Sequence, residues 1–151
     1  MVRWGRGEAS VQALIQAGDL QALVGGAANG EPLLARASTT LQSARSLLET
    51  DPDSAFVLAY DAARQALTAL LAHQGLRPTT RGGHYAVEQA VKAQFGQVSR
   101  PFGALRRRRN ELEYPTRAGD EATIDEARDA VQRAAGIVQD AGRLLPGLGV
   151  F

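Results

Sequence analysis

Apolar residues return at helical intervals along most of this chain. From Pro32 to Glu49 the positions Leu33, Ala37, Leu41, Ala44 and Leu48 recur at steps of three and four, which predicts an amphipathic helix. Pro32 stands at its start, where a missing N–H costs nothing, and Asp51-Pro52-Asp53 breaks it. The strongest pattern runs from Ser54 to Gln74. Phe56, Tyr60, Ala63, Leu67 and Leu70 form one stripe, and Ala59, Ala62, Ala66 and Ala69 form a row beside it. Small side chains in such a row let another helix approach closely. Gly75 follows as a C′ residue.

Further helices are predicted from His84 to Phe95, ended by Gly96, and from about Pro101 to Tyr114, stopped by Pro115. Thr123-Ile124-Asp125-Glu126 reads as a capping box that opens a long last helix to Leu145. Before the first strong helix, Glu8 to Gln16 predicts a short helix, and Leu20 to Val24 a further turn closed by Gly25-Gly26. No stretch alternates with period two for long enough to suggest a strand. The expectation is an all-α fold, a four- to five-helix up-and-down bundle with a short N-terminal helical extension.

Composition narrows the chemistry. The chain has 151 residues, 44% of them hydrophobic, enough for one domain with one core. It has no cysteine, which removes disulfides, thiolate metal sites and a cysteine nucleophile. No apolar run approaches the roughly 18 residues of a membrane span, and Met1 to Gly7 lacks the apolar stretch of a signal peptide; the expected place is the cytoplasm. The formal charge is only +1, so no global field draws in nucleic acid. Lys92 is the only lysine. GC-rich codons account for most of the arginines, but the run Arg106-Arg107-Arg108-Arg109 needs its own explanation.

Advancing about 100° per residue through Phe102–Pro115 puts Phe102, Leu105 and Leu112 on the side that faces the bundle. Arg109 falls among them, Arg106, Asn110 and Glu113 flank it, and Arg107 and Arg108 point away as a solvated face. A charge aimed at the apolar side is costly unless paired. Two roles are open to Arg109: a brace paired with Glu113 four residues on, or an arginine at the rim of a groove that binds phosphate. Neither His73 nor His84 forms a metal-ligand set with nearby carboxylates, so no metal or cofactor is expected. His84 fits a single local hydrogen bond or a proton-transfer role. Asp61 and Arg64, three apart, fit an ordinary surface pair or a place beside the Arg109 groove. Gly82-Gly83 before a helix is a weak anion-site signal.

Arg109-Asn110 followed by Glu113-Tyr114-Pro115 resembles the signature helix of the HEPN superfamily. The resemblance extends to Tyr60–Leu67, Gly75–Thr79 and Gly82-Gly83-His84, and covers about residues 33–145. It implies three parts: an N-terminal extension over 1–30, a HEPN-like bundle over 31–146 and a tail over 147–151. It also implies a homodimer acting on or binding RNA, of the toxin–antitoxin kind, with a nucleotidyltransferase-like antitoxin as partner. Many HEPN proteins are metal-independent endoribonucleases whose motif runs from Arg through a polar residue to His. Carried over, Arg109 binds the scissile phosphate, Asn110 orients it, and the histidine position falls on Tyr114. Arg106, Arg64 and His84 are the further phosphate-binding candidates, with Glu113 and Asp61 in support. A tyrosine, with its pKa near 10, is a poor base at neutral pH. The departure leaves a second reading: a non-catalytic HEPN module that binds a nucleotide or a partner protein.

Overall fold

A computed structural model describes residues 4–23 and 28–151. The fold is the expected all-α bundle, with one small β-ribbon that the apolar pattern did not predict. Among the described residues, seven helical segments follow in order: α1 (Glu8–Gln16), α2 (Glu31–Leu47), α3 (Pro52–His73), α4 (Gly83–Gln94), the single turn α5 (Gly96–Ser99), α6 (Phe102–Glu113) and α7 (Ile124–Leu144), with a 3₁₀ turn over Leu145–Gly147.

Helix α3 is the central element and packs most extensively on α2 and α7. Its start is fixed by Asp51, whose carboxylate accepts the Ser54 N–H at 3.1 Å. The segment that ends α2 thus also caps α3, two residues earlier than the apolar pattern places it. The alanine row is fully buried inside the chain and is therefore not free to seat a second copy. At the other end Gly75 adopts φ 76°, a left-handed conformation that glycine enters without a Cβ clash. Thr123 caps α7 by accepting the Glu126 N–H at 3.1 Å, one half of the expected capping box, while the Glu126 carboxylate goes to Arg108.

The N-terminal segment is built into the bundle. Helix α1 packs on α4. Where a turn was expected, Leu20–Ala22 forms β1, antiparallel to β2 (Leu76–Pro78), with Leu20 opposite Pro78 and Ala22 opposite Leu76. Three-residue strands are too short to show an alternating pattern. The Val24 end of the expected turn and Gly25-Gly26 lie outside the described residues. Gly96, expected to end a helix outright, instead opens α5. The C-terminal residues also return to the bundle: Leu148 is buried, and the Phe151 N–H donates to the Gln74 carbonyl at 2.9 Å.

Two polar side chains are sealed in this core. The Gln74 and Gln94 amides donate to one another, at 2.7 and 3.1 Å, with residue exposures of 1% and 0%. The pair joins the C-terminal ends of α3 and α4. Among the described residues, no helix is long and apolar enough to cross a membrane.

Candidate functional site

The second polar cluster lies where α3, α4 and α6 meet. Tyr60 is its anchor. The apolar stripe places the ring in the core at 1% exposure, stacked on Phe102 with centroids 5.3 Å apart. A buried tyrosine hydroxyl needs a partner, and this one meets His84 Nδ1 at 3.1 Å. His84 stands in the first turn of α4. The loop before it is held rigidly: Thr79 Oγ1 donates to the Gly18 carbonyl at 2.6 Å and accepts the Gly82 N–H at 3.1 Å. Gly82 lies so close to the N-terminal segment that a Cβ would fall 2.1 Å from the Asp19 carbonyl oxygen. The N-terminal segment thereby fixes where α4 begins, and with it the imidazole.

Arg109 reaches the same place from α6. Its guanidinium carbon lies 5.6 Å from the centre of the Tyr60 ring, within cation–π range. Nη1 donates to the Glu113 carboxylate and lies 3.5 Å from Asn110 Oδ1. The pairing with Glu113 expected of a brace is present in the geometry, and the guanidinium lies over the Tyr60 ring. Arg64 lies one turn along α3 from Tyr60, with Nη2 3.9 Å from Asp61 Oδ1. The Nε atoms of Arg64 and Arg109 are both buried without a hydrogen-bond partner.

The electrostatics tie these groups together. Burial pushes the Tyr60 hydroxyl pKa above its usual value, opposed by Arg64 and Arg109. The phenol therefore stays protonated. Burial, followed by the charges of Arg64 and Arg109, holds His84 below its ordinary value of 6.5 against the pull of Asp61. The imidazole is neutral at pH 7. If Tyr60 donates to Nδ1, Nε2 carries the ring proton; if Nδ1 donates to the Tyr60 oxygen, Nε2 is a free base. The contact thus holds an imidazole in either form required for proton transfer.

The structure brings Asp61, Arg64, His84 and Arg109 together, with Asn110 and Glu113 beside Arg109. Arg106 lies at the edge: its charge reaches Tyr60, but its Nε is 2.6 Å from Glu88 of α4. Tyr114 does not join them. It is 74% exposed at the C-terminal end of α6, where the backbone leaves the helix. The following loop is pinned elsewhere, by Thr116 and Arg117 N–H groups on the Asp120 carboxylate at 3.0 and 3.1 Å and by the Ala122 N–H on Asp53 at 2.6 Å.

Arg108 corrects the expected solvated face. It donates to Glu126, to Glu111 at 3.0 Å and to the Asp120 carbonyl at 3.2 Å, joining α6 to the start of α7. Two of these partners, Glu126 and the Asp120 carbonyl, lie beyond α6, where helix periodicity gives no information. Arg107 is exposed as expected. Leu112 is only partly buried. Helical period marks Tyr60 as a core position, and nothing in that pattern marks it as a site residue. Its one signal was a hydroxyl at an apolar position.

The helices form an all-α bundle in which a central helix and a late, arginine-bearing helix share one polar cluster. The sequence model of the HEPN domain matches residues 31–144, and the chain belongs to the HEPN family. No curated protein and no solved structure matches it. HEPN domains are found in ribonucleases and in proteins of the toxin–antitoxin type.

Proposed function

We propose that this protein acts on RNA as a metal-independent endoribonuclease of the toxin–antitoxin kind. Arg109 and Arg64 hold phosphate, and His84 supplies the proton transfer for which exposed Tyr114 is badly placed. The carrying observation is the 3.1 Å contact between Tyr60 and His84 Nδ1, which holds a neutral imidazole beside two arginines with unpartnered buried Nε atoms. In the reaction a base removes the proton of the attacking ribose 2′-hydroxyl, the oxygen attacks the adjacent phosphorus, and the bond to the 5′-oxygen breaks with a proton supplied to it. Positive guanidinium groups stabilise the added negative charge on the phosphate. Asn110 and Asp61 orient the arginines, and Glu113 holds Arg109 until phosphate displaces it.

The exposed C-terminal part of α6, with Asn110, Glu113 and Tyr114, supports a homodimer formed through this face, and a nucleotidyltransferase-like antitoxin is the partner proposed with it. The working compartment is the cytoplasm. The test is cleavage of single-stranded RNA by purified protein in EDTA. Cleavage is expected in EDTA and reduced in Arg109→Ala through weaker RNA binding; activity that requires added magnesium defeats the mechanism. A second reading is favoured by Glu113, which already occupies Arg109: a non-catalytic module that binds a nucleotide or a partner protein. Tight RNA or nucleotide binding that is lost in Arg109→Ala, with no cleavage at any pH, would select it.

A further inference from the structure

A second cationic region lies on another side of α6. Arg107 is about 200° around the helix from Arg109, and it lines an open cleft of about 620 Å³. Arg6 from the N-terminal segment, Lys92 from α4 and Arg100 from the α5–α6 connection line the same cleft. These four cations come from four places in the chain. None of them has a carboxylate within ion-pair distance among the described residues. The acid in the wall, Glu88, is already neutralised by Arg106 at 2.6 Å. Like charges gathered in one cleft repel one another, and with Glu88 paired to Arg106 the four cations leave a net positive cleft that concentrates anions.

A smaller pocket of about 200 Å³ adjoins the cleft and shares Arg6, Gly96 and Gln97 with it. Its walls are apolar: Trp4, Phe95, Val98 and Leu144. The Trp4 indole N–H donates to the Gln94 carbonyl at 3.2 Å, and its ring lies 5.1 Å from that of Phe95. The indole is therefore held in place beside the opening.

We infer that the cleft and the pocket together form a nucleoside polyphosphate site, with the phosphate chain on Arg6, Lys92, Arg100 and Arg107 and the base against Trp4 and Phe95. Four cations in one cleft match a compact phosphate chain, and the adjoining apolar pocket has room for one flat ring. Trp4 and Arg6 precede the HEPN-matched region of 31–144, so the site is an addition made by this chain's N-terminal segment. It is independent of the reading of the Arg109 cluster.

Trp4 is the only tryptophan, so its fluorescence reports on the pocket directly. ATP added without divalent metal is expected to change Trp4 fluorescence saturably. The Lys92→Ala/Arg107→Ala double variant should weaken ATP by about tenfold or more, the loss typical of charge-assisted contacts. Arg109→Ala should bind ATP normally even where it has lost RNA, which separates this site from the proposed RNA site. A thermal melt of each variant checks folding; Arg100→Gln replaces the double variant if the latter melts early. Failure of ATP to bind overturns the inference, as does ATP binding that survives removal of these cations. Inorganic tripolyphosphate binding as tightly as ATP, with no change at Trp4, overturns the nucleoside part. Single-stranded RNA that depends on these cations where ATP does not bind assigns the cleft to a strand and overturns the nucleotide.

Discussion

Two polar clusters sit in this apolar bundle, and they are finished differently. Gln74 and Gln94 are sealed, and their side chains satisfy one another in a reciprocal pair. The Tyr60–His84–Arg64–Arg109 cluster is partly open, and its two arginine Nε atoms are buried with no acceptor. A buried polar group without a partner carries a desolvation penalty. The closed pair spends its polarity on joining two helix ends. The open cluster keeps two buried donors unsatisfied on guanidinium-bearing side chains that are themselves only partly covered. On the proposed function an anion offers acceptors to both guanidinium groups, in competition with the Asp61 and Glu113 carboxylates beside them.

The largest effect separating the clusters is expected from His84. His84→Gln should lower RNA cleavage by about 100-fold or more, the usual contribution of a positioned acid–base group, while RNA affinity changes little. Tyr114→Phe should cleave like the parent protein. Reversal of these two results returns the proton-transfer role to Tyr114. Next comes Arg109→Ala, expected to weaken RNA by about tenfold or more. Normal RNA binding combined with a large fall in melting temperature would make Arg109 a brace for Glu113, and the contrast between the clusters would disappear.

Gln94→Ala probes the closed pair. It strands the Gln74 amide in the core and should cost about 1–3 kcal/mol, read by urea unfolding, without changing RNA binding in the folded protein. A loss of binding equal to that of Arg109→Ala would show that the pair belongs to the site. The smallest effect is in pH dependence. Because His84 titrates below 6.5 in the folded chain, the unfolded chain binds its proton first as pH falls. Stability should therefore decline on acidification from neutral pH through the folded-state value. His84→Gln should flatten that part of the curve. In the parent protein, a bound anion should raise the His84 pKa by offsetting the charges of Arg64 and Arg109, a shift that an NMR titration resolves.

Local pattern and tertiary placement contributed unequally to these regions. The stripe through Phe56, Tyr60, Ala63, Leu67 and Leu70, the cap at Thr123 and the glycine at position 75 are written in residue order. Helical period and capping chemistry act within a few residues, so the sequence alone determined the helices and the all-α class. The same reasoning aimed Arg109 at the bundle and put Arg107 in solvent, because direction around a helix is a local property. It failed for Arg108, whose partners Glu126 and the Asp120 carbonyl lie 18 and 12 residues away. It also gave no sign of the β1–β2 ribbon, the Gln74–Gln94 pair or the contact of Tyr60 with His84. Each of these joins segments that no period relates. Such contacts exist only once helix packing has excluded water and left each buried polar group to find its partner across the fold.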